Sequence, residues 1–332
     1  MPPKKKKSIQ SRDTKSGKRG VPEEKTKKEK KPMSRGKVIV IVVLALMLVT
    51  IGEIVFVAKK SVRESKKPEF IKAWDKGFMK GATSIENYGD HMYIVDNSRG
   101  DVYKCDKMSG KLLKVFEMGD EGALSAVEAK NGHVYILTKQ NTVIHYTPDN
   151  NKAEKIPLKG RRNVRWMDVD SDNNFYLVEH GDMKVYKYSD EFEPVLSFGG
   201  KGEGGDKFNM IVKLDAGADK NIYCLDNVGV NKYKIRIFGR DGRFKKSWQI
   251  KRINKMDGLT DMAITSKGYV YINGVKDSRV FVFNNNGKFM SSFDTDKDRR
   301  FVIKFPPCIT GGENKRFFVL THQMAIFRTI DY

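Results

Sequence analysis

The chain has 332 residues, with 63 Lys and Arg against 41 Asp and Glu for a formal charge of +22, a length that holds one large or two ordinary domains. Its three cysteines, Cys105, Cys224 and Cys308, share no C-x-x-C spacing and sit in apolar runs, which excludes c-type haem attachment and favours buried thiols over a disulfide framework. The charge is uneven: residues 1–37 carry a net +11 with no aromatic residue, so they cannot bury enough apolar area to offset ordering and are read as a disordered basic cytoplasmic tail.

Residues 38–58, "VIVIVVLALMLVTIGEIVFVA", form an apolar run interrupted by one charge, Glu53. As a helix it measures ~31 Å, matching a bilayer core. Phe56 stands two residues before Ala58, where a cleavable leader needs a small side chain, so an uncleaved anchor is expected. The excess of Lys and Arg before the span over that in the linker, residues 59–68, keeps the N-terminus inside and puts the remainder in the periplasm or extracellular space. A carboxylate within a span costs ~2.5–3.5 kcal/mol, and Glu53 is read either as an intramembrane contact to a partner or as reaching the interface.

Beyond the linker, Tyr93, Tyr135, Tyr176, Tyr223, Tyr271 and Phe318 recur in strand-like segments at intervals of 41 to 48 residues. This period, with short strands, turns and no helical periodicity, predicts six blades of four antiparallel strands. Ser109-Gly110, Asp241-Gly242 and Asn286-Gly287 supply tight hairpins. The even spacing of Leu112 and Phe116, Phe244 and Trp248, and Phe289 and Phe293 predicts that each pair lies on one sheet face between blades. In blade six an inner strand is expected near "FVIKF", 301–305, and the chain ends without a fourth strand. "PEFIKAW" matches the other outer strands, so residues 69–75 are expected to pair antiparallel with 324–330 and close the ring.

"FGGKGEGGDKF", 198–208, holds a G-x-G-x-x-G spacing, but strand, turn and strand follow it rather than the helix N-terminus a dinucleotide site needs. Blade four, from this glycine-rich lead to the "FGRDGRF" hairpin, resembles the NHL-repeat family of six-bladed β-propellers. The resemblance spans 69–332 and implies an all-β propeller. It departs from the pattern at Thr138 and Thr321, and leaves function open, because the architecture serves binding modules as well as lyases and lactonases.

Asp168, Asp170 and Asp172 have the alternate spacing of a calcium loop, but Asn173 holds its glycine position, and turn chemistry is the better reading. The residue four beyond each aromatic anchor begins a loop on the face where propeller ligands usually sit: Asn97, Lys139, His180, Asn227, Val275 and His322. His180 and His322 make an incomplete zinc set. Arg161, Arg162, Lys251 and Arg252 add positive charge to that face, suited to a phosphate, an acidic glycan or an acidic protein.

No catalytic set follows from spacing, and no cofactor is implied. The sequence reads as a single-pass membrane protein whose extracytoplasmic propeller, 69–332, binds or scaffolds membrane or extracytoplasmic proteins. A propeller lyase or lactonase, or a binder of an anionic glycan, is the alternative, and an extracytoplasmic position argues against nucleic acid.

Overall fold

The computed structural model describes residues 34, 36, 42–53, 69–74, 77, 81–148, 153–251, 258–274, 279–294, 308–311, 316–320 and 324–328. The chain divides into two units, Met1–Ala58 and Lys59–Tyr332. In the first, residues 42–53 are helical, with Val42, Leu44, Leu48 and Ile51 exposed. Among the described residues no helix is long and apolar enough to cross a membrane. The rest of the predicted span, 38–58, lies almost wholly outside the described residues, as do most of the tail and the linker.

The second unit is all-β. It opens with β1 (Glu69–Trp74). Blade one follows as β2 (Ala82–Tyr88), β3 (His91–Asp96), β4 (Asp101–Asp106) and β5 (Leu112–Phe116). Blade two is β6 (Ala123–Glu128), β7 (Val134–Thr138), β8 (Thr142–Tyr146) and β9 (Ala153–Pro157). Blade three is β10 (Val164–Val169), β11 (Phe175–Glu179), β12 (Lys184–Tyr188) and β13 (Pro194–Gly199). Blade four is β14 (Ile211–Ala216), β15 (Asn221–Gly229), β16 (Lys232–Gly239) and β17 (Phe244–Gln249). Blade five is β18 (Leu259–Ile264), β19 (Val270–Gly274), β20 (Arg279–Phe283) and β21 (Phe289–Asp294). The last strands are β22 (Cys308–Gly311), β23 (Arg316–Leu320) and β24 (Met324–Arg328).

Five four-stranded sheets each use consecutive strands, and a further sheet, in the order β1-β24-β23-β22, takes its strands from both ends of the domain. Glu69 pairs with Arg328 and Trp74 with Met324, antiparallel. The inner strand of this sheet is β22, not the expected 301–305, which lie outside the described residues.

Six apolar clusters lie between successive sheets, and one repeat position feeds each of them. Tyr93 packs into the cluster shared by blades one and two, Tyr135 by two and three, Tyr176 by three and four, and Tyr223 by four and five. Tyr271 and Phe318 do the same for the two interfaces of the mixed sheet. The aromatic period is therefore the period of the blade interfaces. The phenol of Tyr93 donates to Glu128, that of Tyr176 to Asp170 and that of Tyr223 to Asp219, so rings buried for their apolar area keep their polar ends paired.

The outer strands depart from the predicted alternation. Phe238 pairs with Phe244 but Ile237 with Lys246, and Phe283 with Phe289 but Val282 with Ser291. Cys105 likewise pairs with Leu112 but Lys104 with Lys114. The extra residue is a β-bulge, which reverses the alternation and sends the two apolar residues to opposite faces. Phe244 lies against Phe238 on the side of blade three, whereas Trp248 meets Phe283 of blade five. Leu112 is largely exposed while Phe116 is buried.

The hairpin glycines matter for space as well as for backbone angle. Gly110, Gly242 and Gly287 have φ of 68°, 75° and 78°. A Cβ on Gly110 would lie 2.5 Å from the ring of Trp74, and one on Gly287 would lie 2.5 Å from the ring of Trp248. Blade four thus seats an outer-strand aromatic ring on the hairpin of blade five, and Trp74 does the same on the hairpin of blade one, across the junction of the chain's two ends. Trp74→Ala should cost ~3–5 kcal/mol, and Gly110→Ala ~1–3 kcal/mol through strained φ and the displaced indole. Chemical denaturation of the purified chain, followed by tryptophan emission, measures both, and unchanged midpoints would show that the seat is not structural.

Candidate functional site

The inner strands surround a channel with an opening at each end. The first opening, about 360 Å³, is lined by Thr83, Asn97, Ala123, Leu124, Arg165, Trp166, His180, Met210, Ile211 and Val212. These residues come from the starts of β2, β6, β10 and β14 and the loops that follow the second strands, so this is the face singled out from sequence. Its floor is apolar, with Met210 42% exposed. His180 Nε2–H donates to the carbonyl of Ile211 at 2.8 Å, which locks the imidazole on the rim. Burial lowers the His180 pKa and the nearby Arg165 lowers it further, so the ring is neutral at pH 7.

Of the expected ligand residues, the structure brings Asn97 and His180 together here. Arg161 and Asn227 are engaged elsewhere. Arg161 stacks 3.5 Å from the centre of the Tyr186 ring and lies 3.7 Å from Glu179, while the backbone N–H of Arg162 donates to the same carboxylate at 2.9 Å. Asn227 is not in a loop: blade four has longer strands, and Asn227 sits in the ladder opposite Tyr233. Lys139 lies along Gly122, and Lys251 is exposed. His322 and Arg252 lie outside the described residues, as does Val275.

The second opening, about 240 Å³, has different chemistry: Glu86, Asp168 and Asp215 line it together with Asn87, Thr310 and turn residues that include Gly89, Ser171 and Ala218. Below it, Lys213 reaches across the channel to Glu86 at 2.8 Å, approaches Asp261 at 3.4 Å, and passes 5.1 Å from the centre of the Trp166 ring. The aspartates staple neighbouring inner strands. Ala216 N–H donates to Asp168 at 2.7 Å, Ile264 N–H to Asp215 at 3.0 Å and Ile309 N–H to Asp261 at 2.9 Å. Desolvation, with Glu86 and neighbouring carboxylates adding to it, pushes Asp168 up to about 7 and raises Asp215. Desolvation also pushes Asp261 up to about 6, against the pull of Lys213. The Lys213 ammonium is held charged by its carboxylates despite its burial.

The calcium-loop spacing dissolves in this geometry. Asp168 belongs to β10 and faces the channel mouth. Asp170 and Asp172 lie in the following turn, where Asp170 accepts the N–H groups of Asp172 and Asn174 and both pair with Arg240. Asn173 takes the turn's positive φ of 61°. Among the described residues no group of three or more His, Cys, Asp or Glu is placed to hold a metal ion. The glycine-rich loop joins β13 to β14, and Arg236 holds it through the carbonyls of Gly204 and Gly205 while its Nε bonds Asp226 at 2.7 Å. Neither Arg236 nor Lys213 was singled out from sequence. Their signal was a basic residue with an apolar neighbour on each side within a strand, as in "IVKLDA" and "KYKIRIFG".

Lys213→Met should destabilise the domain by ~3–5 kcal/mol, since it strands buried carboxylates without their counter-charge. The raised Asp168 pKa has a definite sign in a pH series. Between pH 4 and about 7 the folded state keeps a proton that the unfolded chain releases, so this group's stabilisation falls as pH rises through that window. The stability advantage of the wild type over Asp168→Asn should therefore be larger at pH 5 than at pH 8. Urea denaturation at the two values measures it, and a constant difference would place the Asp168 pKa in the ordinary carboxylate range.

No protein family matches the sequence, and neither does any curated protein. Solved structures do. A virginiamycin B lyase from Staphylococcus aureus superposes with a TM-score of 0.55 at 11% identity over 79% of this chain and 100% of its own. A streptogramin B lyase gives 0.56 at 12% identity over 80% of this chain and 89% of its own. The β-propeller domain of Cps50 (Swd1) from Myceliophteria thermophila gives 0.57 at 8% identity over 80% of this chain and 100% of its own. At these identities the likeness establishes one thing, that the domain is a β-propeller.

Proposed function

We propose that the chain is a membrane-anchored, extracytoplasmic propeller that binds a protein partner through the first opening and serves as a scaffold in a membrane-associated complex. The observation that carries this reading is the opening itself: a concave, mostly apolar floor with a few polar groups at its edge, at the small end of the ~300–1,000 Å³ typical of binding sites. The apolar run 38–58 with its flanking charges supplies the anchor, and Glu53 a contact within the membrane. Glu69 pairs with Arg328 and Arg328 with Arg316, at the edge that also bears the second opening's turns, so β1 begins at the end of the domain opposite the apolar opening.

An enzyme of the lyase or lactonase kind is the second reading. It draws on the carboxylates of the second opening, with Asp168 raised to about 7, and on the likeness to two lyases. Affinity purification of the detergent-solubilised chain separates the two: stable co-purifying proteins support the scaffold, while a lone chain with stoichiometric calcium or zinc supports the enzyme. Glu53→Leu should lose intramembrane partners without altering the melting of the propeller. Protease added outside intact cells should degrade the propeller and spare the basic tail, and the reverse pattern would invert the topology.

A further inference from the structure

We infer that the apolar opening receives an extended segment of another protein that carries one aliphatic or aromatic side chain next to carboxylates. This inference rests on the protein-binding reading. The floor, Leu124, Trp166, Met210 and Val212, offers hydrocarbon and a thioether, which favour an inserted apolar side chain over a sugar or phosphate. Among the described residues that line it, one is charged at neutral pH, the exposed Arg165, and none is a carboxylate. Among the described residues no acid pairs with Arg165. The nearby Glu179 is spent on Arg161 and on the N–H of Arg162. His180 is neutral and already donates its Nε2–H to the protein, so it neither cancels nor adds to this charge.

A guanidinium with no acid paired to it among the described residues, beside an apolar recess, selects a ligand with both features, because a carboxylate placed there gains a charge-assisted hydrogen bond as the neighbouring side chain is desolvated. Charge excludes two other occupants. The chain's own residues 1–37 carry +11 and are repelled by Arg165, and a second copy of a chain of pI about 9.7 is a poor electrostatic match.

The test uses the full chain in detergent micelles and a pool of fluorescent heptapeptides with three Asp or Glu on each side of a varied central residue, read by anisotropy. Peptides centred on Leu, Met, Phe or Trp should bind at least tenfold more tightly than those centred on Ser. Exchanging the acidic flanks for Lys should abolish binding. Arg165 and Met210 are exposed, so their substitution spares the core. Met210→Glu should weaken binding at least tenfold, and Arg165→Glu should reverse the preference toward Lys flanks. Equal binding of Ser-centred peptides, or an unchanged flank preference in Arg165→Glu, would overturn the inference. If proteins that co-purify with the wild type are lost from Met210→Glu while no acidic peptide binds, protein binding stands and the acidic class of ligand falls. If Met210→Glu retains all of them, the opening is not the docking surface and both readings fall.

Discussion

The pairing of β1 with β24 is the contact on which the propeller depends. A ring of sheets has no natural end: each blade covers one face of the next, so an incomplete last blade leaves an apolar face and an unpaired strand edge. Here the last three strands lack a fourth, and the first strand of the domain supplies it. The same strand delivers Trp74 to the hairpin of blade one, so backbone pairing and side-chain packing act at one seam. A long chain held at both ends loses far more freedom than a local hairpin does, and no disulfide shares the load, since all three cysteines are free and buried.

The channel faces the opposite difficulty. Inner strands converge there, and beside the Trp166 ring the chain places charges. A lone lysine or carboxylate would be prohibitively costly in that position. Lys213, Glu86 and Asp261 offset one another, and the backbone N–H groups of adjacent inner strands saturate the aspartates. These bonds run from one blade to the next, so part of the desolvation cost returns as inter-blade cohesion. Burial, with four carboxylates facing one ammonium adding to it, holds Asp168 and Asp215 toward their protonated forms.

What the sequence made legible was whatever repeats. The aromatic anchors share one register position in six sheets, and the hairpin glycines mark turns that depend on positive φ, so both survive as periodic signals. The bulges do not, because inserting one residue leaves composition unchanged while reversing every later side chain. The inner strand Cys308–Gly311 is only four residues long and was overshadowed by the apolar 301–305 nearby. The channel cluster was hidden for a different reason. Asp168 was visible as one of three evenly spaced acids, but the end of β10 separates it from the turn that holds the other two, and its real neighbours, Glu86, Lys213 and Asp215, lie in other blades. Asn97 and His180 were legible as a shared face, whereas Trp166 and Met210, which give that face its character, carry no motif.

The two openings belong to one channel yet have opposite character, and the strand that closes the ring relates them to the rest of the chain. Lys213, spanning from β14 to Glu86 on β2, lies between them and keeps the acidic end apart from the apolar one. The outer strand β1 starts at the acidic end and finishes, at Trp74 opposite Met324, on the side of the apolar opening. The domain thus carries the exposed Met210 and Arg165 at one end of its channel and, at the other, carboxylates held by backbone N–H groups and by Lys213.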